Sequence, residues 1–188
     1  MLSQFTTQLG KRTLADLDFH FPKDVYPVGR LDEDSEGILL LTNDKALNHR
    51  LLNPAFRHHR TYWAQVDGDV SGVAIEKLSK GVEINIDGKI YKTQPAVCKK
   101  IDAPENLPPR DPPVRYRKSI PTSWIELSLT EGKNRQVRKM TAAVGFPTLR
   151  LLRIAIEKLS LKEFAPGTVA EYTAQDIYRL LNVKHTSF

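Results

Sequence analysis

The stretch Arg60-Thr61-Tyr62-Trp63-Ala64-Gln65-Val66-Asp67 alternates with a period of two. That pattern is a strand with Tyr62, Ala64 and Val66 on one face and Trp63 and Gln65 on the other. With rings on opposite faces, one of the two aromatics lies off the main core or serves a second layer. Downstream, residues 122–130 alternate in the same way, with Ile125, Leu127 and Leu129 inward, and residues 149–159 give a last strand region. Between them, residues 83–93 read as a hairpin whose Asp87-Gly88 supplies the positive backbone angles of a tight turn. Upstream, residues 25–31 and the apolar run at 37–42 read as two more strands, Pro27 placing the first near an edge.

Helices fill the gaps. Thr42 or Asn43 is placed to cap a helix to about Leu52, with Leu47 and Leu51 on its inner face. Ser71 opens another through Leu78, and Gly81 closes it. Residues 134–144 form a third, stopped by Gly145 and Pro147 and buried along Val137, Met140 and Val144. Thr173 and Asp176 make a capping pair before a final helix at 177–181. Many strands, few helices and hairpin signals define an α+β protein with a mixed, mostly antiparallel sheet and flanking helices.

With 188 residues, 40% of them hydrophobic, the chain holds enough apolar surface for one domain spanning residues 1–188, its two lobes sharing a cleft. A net charge of +6 favours a polyanionic partner. The single cysteine, Cys98, excludes an internal disulfide framework and a Cys-rich zinc site, and fits a reducing cytoplasm. The apolar run Ile38-Leu39-Leu40-Leu41 is far too short to span a bilayer, so no membrane is expected. Residues 1–12 hold no signal-peptide block.

Three places invite chemistry. The first is Gly29-Arg30-Leu31-Asp32-Glu33-Asp34-Ser35-Glu36-Gly37. Its acids fall partly on calcium-loop positions, but Asn43 stands where the closing Glu is needed and strands flank it, which argues against the ion. A solvated acidic turn is the plainer alternative. Asp32, however, directly follows an apolar strand, and a half-buried carboxylate there requires a partner. The second is Glu131-Gly132-Lys133-Asn134-Arg135-Gln136-Val137-Arg138-Lys139-Met140. Four cations at a helix N-terminus oppose the helix dipole, so they suit phosphates better than local stability. An exposed basic face is the competing reading. Arg57-His58-His59-Arg60 and the proline-rich loop at 103–121, with Arg110, Arg115, Arg117 and Lys118 around Tyr116, add to the case for nucleic acid. The third is Tyr62 itself, which by position alone reads as core. His58 and His59 are adjacent and project apart, so no metal site is expected.

Together these segments resemble the pseudouridine synthases of the small-subunit/large-subunit rRNA branch. Gly29-Arg30-Leu31-Asp32 with Ser35-Glu36-Gly37-Ile38-Leu39-Leu40-Leu41-Thr42-Asn43-Asp44 is similar to the motif holding that family's catalytic aspartate. Arg60-Thr61-Tyr62 is similar to its basic-x-Tyr motif, and residues 131–140 to its arginine-bearing helix. The run Arg117-Lys118-Ser119-Ile120-Pro121-Thr122-Ser123-Trp124, with the proline loop before it, places the resemblance among the large-subunit members. The resemblance implies isomerisation of uridine to pseudouridine in 23S rRNA, free or in a large-subunit assembly intermediate, by a cytoplasmic monomer using no cofactor. It implies that Asp32 is the catalytic carboxylate, as nucleophile or base, that Tyr62 stacks on the uracil and that Arg138 pairs with Asp32. Arg30 resembles the arginine that fills the gap left by the extruded base. RNA contacts are expected from Arg30, Arg60, Lys133, Asn134, Arg135, Gln136, Lys139, Arg115, Arg117 and Lys118. Four departures stand out. There is no room for the S4 RNA-binding domain of many relatives, and the usual opening strand before Leu2-Ser3-Gln4-Phe5 is missing or shortened. Glu33 stands where a basic or neutral residue is common, and Ile156-Glu157 replaces a glycine-containing pair. A non-catalytic rRNA-binding or assembly protein on the same fold is the alternative, and a uracil-releasing glycosylase a third class.

Overall fold

The computed structural model describes residues 1–114, 120–161 and 165–183. In chain order these form β1 (Tyr26–Pro27), β2 (Glu36–Gly37), β3 (Leu41–Thr42), α1 (Lys45–Leu52), β4 (Arg60–Asp67), α2 (Gly72–Lys80) and β5 (Glu83–Ile86). There follow β6 (Lys89–Lys92), β7 (Val97–Ile101), β8 (Thr122–Leu129), α3 (Gln136–Ala143), β9 (Thr148–Ile156), β10 (Leu159–Ser160) and α4 (Ala174–Leu180). The strand at 60–67 sits at the centre of the main sheet, whose order is β10-β9-β4-β8-β7. All those pairs are antiparallel, while β2 lies parallel on β9, so the sheet is mixed as expected.

Alternation places the core. Ala64 and Val66 of β4, Ile125, Leu127 and Leu129 of β8 and Leu151 of β9 are buried under α2 and α3, which contribute Ala74, Leu78, Val137 and Met140. A second cluster joins Val28, Ile38, Leu47 and Leu51 to Ile156, Leu159, Tyr178 and Leu181. The buried side chains therefore form two separate clusters. Each fully buried Leu or Ile contributes about 1.5–3 kcal/mol, so both clusters matter to stability. The strand β9 supplies both, through Leu151 and Ile156.

Several local expectations hold in detail. Ser71 caps α2 by accepting from the Ala74 amide, and Gly81 ends it at φ +82°. The hairpin β5–β6 turns through Asp87 and Gly88, both at positive φ. Thr173 caps α4. Others need correction. The cap of α1 is Asp44, not Thr42 or Asn43: its carboxylate accepts from the amides of Ala46 and Leu47. The expected strands at 25–31 and 37–42 shrink to two-residue pairings because the second segment changes partner midway. Its start, Glu36–Gly37, pairs with β9, whereas its end, Leu41–Thr42, pairs with β1. Strand β7 had no counterpart in the sequence reading. It is an edge strand carrying Lys99 and Lys100, whose charges obscure the alternation that pairing to β8 requires.

Candidate active site

The acidic stretch and the basic helix, read separately in the sequence, are one structure. Asp34 receives both terminal nitrogens of Arg135 at 3.0 and 2.9 Å, a bidentate pair. Arg138 donates to the Asp34 carbonyl at 2.8 Å and lies 3.3 Å from its carboxylate. Asp32 meets Arg135 at a longer 3.7 Å. The expected Asp32–Arg138 pair is therefore replaced by Asp34–Arg138, with Asp32 and Arg138 acting on each other only through the field. The hydrogen bond from Arg135 holds the Asp34 carboxyl below its ordinary range against the opposing effect of burial, and Arg138 adds to that. Burial pushes the half-buried Arg138 guanidinium down, while Asp34 offsets it. These pairs explain why cations gather where a helix dipole disfavours them.

Next along the stretch, Glu36 binds Arg150 through two bonds of 2.9 and 2.8 Å, and Arg110 approaches it at 3.5 Å. Arg150 also donates to the Pro108 carbonyl at 2.9 Å, so the proline loop is tied to the acids at residues 108–110. Glu33 pairs with Lys11 on the surface. The carboxylates that a calcium reading would use are thus occupied by guanidinium groups. Among the described residues, no cluster of three or more His, Cys, Asp and Glu is arranged to hold a metal.

Tyr62 belongs to a second group. It lies directly opposite Arg153 in the β4–β9 ladder and so shares its face. The Arg153 guanidinium is buried, its Nε donating to the Ile38 carbonyl at 2.8 Å, and the Tyr62 hydroxyl favours its charge against the cost of burial. The ladder slips between Thr61 and Tyr62, leaving Ile154 as an extra residue in β9. Bulges of this kind re-aim neighbouring side chains and gather beside active sites. Gly37 lets β2 reach this point: at φ +106°, a Cβ there would stand 2.2 Å from the Arg153 carbonyl. Arg153 was missed in the sequence, where it reads as one of two cations in an otherwise apolar strand. No hydrogen bond or ion pair joins Tyr62 to Asp32 or Arg138, although the two groups are linked through the Glu36–Ile38 backbone on β9.

The remaining expected contacts divide. Lys133, Asn134 and Arg30 are exposed, and Lys139 is half-exposed. Lys133 lies over the Tyr91 ring at 4.9 Å. Gln136 is buried, donating to Glu131 at 2.6 Å and accepting from the Lys133 amide, so it holds the turn before α3 and does not face solvent. Glu131, also buried, takes further bonds from the Tyr91 hydroxyl and the Gln94 amide. Arg60 is turned into the fold, donating to the Leu51 carbonyl at the end of α1. His58 is buried against Glu157 at 3.2 Å. Arg115, Arg117 and Lys118 lie outside the described residues. A hollow of about 1680 Å³ lies among Trp63, Leu152, Ile154, Glu36, Arg110 and Arg150, and is not lined by Asp32, Tyr62 or Arg138.

The fold thus brings a central mixed sheet, an acidic loop and a basic helix together at one place. The family model described as RNA pseudouridylate synthase matches residues 3–143, and the chain belongs to that family. It is 53% identical over 168 residues to ribosomal large subunit pseudouridine synthase E of Xanthomonas axonopodis pv. citri, covering 88% of this chain and 85% of that protein. With the protein of the same name from Vibrio parahaemolyticus it shares 50% over 167 residues, 88% of this chain and 67% of the relative. A crystal structure of a pseudouridylate synthase superposes with a TM-score of 0.69 at 26% identity, over 86% of this chain and 63% of the other.

Proposed function

We propose that this chain converts a specific uridine of 23S rRNA to pseudouridine without a cofactor, with Asp32 as the catalytic carboxylate. The observation that carries the reading is the division of labour between two neighbouring acids. Asp34 takes the close arginine bonds, so Asp32 stands beside Arg135 at 3.7 Å with its oxygens not tied into hydrogen bonds. A structural acid would be expected in Asp34's position; an acid kept for chemistry suits that of Asp32.

The target uridine leaves its stack to bring the glycosidic bond to a recessed group. Stacking on Tyr62 restores roughly 1–3 kcal/mol of what is lost. Asp32 then acts at the ribose, as nucleophile or base, the base turns, and ring carbon 5 replaces nitrogen 1 in the bond to the sugar. The proton on carbon 5 is lost and nitrogen 1 gains one, so mass is unchanged. Phosphate contacts from Lys133, Lys139 and the proline loop supply affinity. In this reading the enzyme works as a cytoplasmic monomer, on free rRNA or an assembly particle, and keeps full activity in excess chelator. The names of its relatives, the family match and the positive net charge support it.

Asp32→Asn is the decisive variant. Pseudouridine mapping of 23S rRNA is expected to show no conversion by it, with RNA affinity within a few-fold of the parent. Full turnover by the variant would remove Asp32 from the chemistry. Release of free uracil by the parent would make it a glycosylase, and tight binding with no change in the rRNA would make it an assembly protein.

A further inference from the structure

Arg153 carries a donor that the fold does not use. It is 5% exposed, and its Nη2 has no hydrogen-bond partner, although the Nε is fixed on the Ile38 carbonyl. An unpaired guanidinium nitrogen inside a protein is costly, and a hydrophobic side chain of similar length would fill the space without that cost. The surroundings are equally specific. Tyr62 faces Arg153 across the ladder, the bulge at Ile154 sits beside it, and Gly37 admits a backbone that any side chain would keep away. Two backbone irregularities and a facing aromatic thus meet at Arg153.

Resting on the reading of Tyr62 as the surface that receives the extruded base, we propose that Arg153 is a further substrate-contacting residue, whose Nη2 donates a hydrogen bond to an oxygen of the everted uridine. The oxygen is a uracil carbonyl or that of the adjoining phosphate; both offer the lone pairs a guanidinium requires. Because Nη2 is closed to solvent, the oxygen reaches it only when a neighbouring side chain swings aside. Half-buried Tyr62, directly opposite, is placed to make that movement as it takes up the base. The donor is thus satisfied only when substrate is bound, which ties recognition of the nucleotide to its extrusion.

The test compares the full-length parent with Arg153→Met and Arg153→Lys on a 23S rRNA transcript, reading pseudouridine formation, total RNA affinity and Tm. Arg153→Met is expected to melt at or above the parent temperature, to bind the transcript within a few-fold, and to lose at least about tenfold in kcat/KM, an order of magnitude typical of one lost charged contact. Arg153→Lys keeps a cation but not the fork, and is expected to lose rate as well. It also decides the matter if the Met variant fails to fold. Transcripts made with 2-thiouridine or 4-thiouridine separate the two oxygens. If one slows the parent but not Arg153→Met, the base carbonyl is the acceptor; if neither does, it is the phosphate. Parental rates in both variants, or a loss of rate explained by unfolding in both, would overturn the assignment of Arg153 alone. A parent that makes no pseudouridine would overturn the proposed function and this inference with it.

Discussion

Asp34 shows how much one carboxylate can organise. Its pKa is held below the ordinary aspartate value of about 3.9, so the unfolded chain binds more protons than the folded one in that range. The stabilising contribution is complete above the unfolded value and is lost as pH falls through the depressed folded one. Below about pH 4 we expect the acid loop to loosen first, read as faster proteolysis at residues 32–36 while β4 and β8 stay protected. Asp34→Ala should mimic this at neutral pH, lowering turnover without removing Asp32. Cys98 offers an independent check on packing. Burial pushes its thiol up to about 12, so a thiol reagent should label it slowly in the native protein and rapidly in denaturant. At this scale the sequence singled out Asp32, Tyr62 and Arg138 through their motifs, but not the partners of the acids and arginines around them. Which acid meets which arginine depends on contacts more than a hundred residues apart, as between Asp34 and Arg138, and no local pattern encodes those. The same limit hid the inward turns of Gln136 and Arg60: a polar side chain beside a motif looks alike whether it meets RNA or a buried carbonyl.

Elements were legible where one partner governs the whole segment. The strand β4 is paired along its entire length, and its alternation was plain. Where a segment serves two partners, as residues 36–42 do, the apolar run was visible but the break within it was not. Gly37 marks that break. Gly37→Ala would force a Cβ into the Arg153 backbone at a φ that L-residues avoid, and should cost about 1–3 kcal/mol by denaturant titration as β2 leaves β9. Activity should fall further than stability alone explains, because β2 carries the Asp32 loop. Asp44→Ala, by contrast, removes a helix cap and should cost about 0.5–2 kcal/mol. Asp44 also accepts from Tyr178 at 2.6 Å, so the change should loosen α4 against α1.

For the whole molecule, the count of 28 Lys and Arg overstates what RNA can use. Arg135, Arg138 and Arg150 already hold carboxylates of the same chain, whereas Lys133 and Lys139 have no ion pair of their own among the described residues. Removing one phosphate contact flattens the dependence of binding on salt by about 0.7–0.9 log units per contact. Lys139→Gln should do so in a filter-binding titration, and Arg135→Gln should do so less. The strand β9 has a different consequence. It passes from one apolar cluster to the other, with Leu151 in the first, Ile156 in the second and the bulge at Ile154 between them. Deuterium uptake along this single strand should therefore change abruptly at residue 154, with slower amides on the Leu151 side and two distinct opening events where neighbouring strands show one.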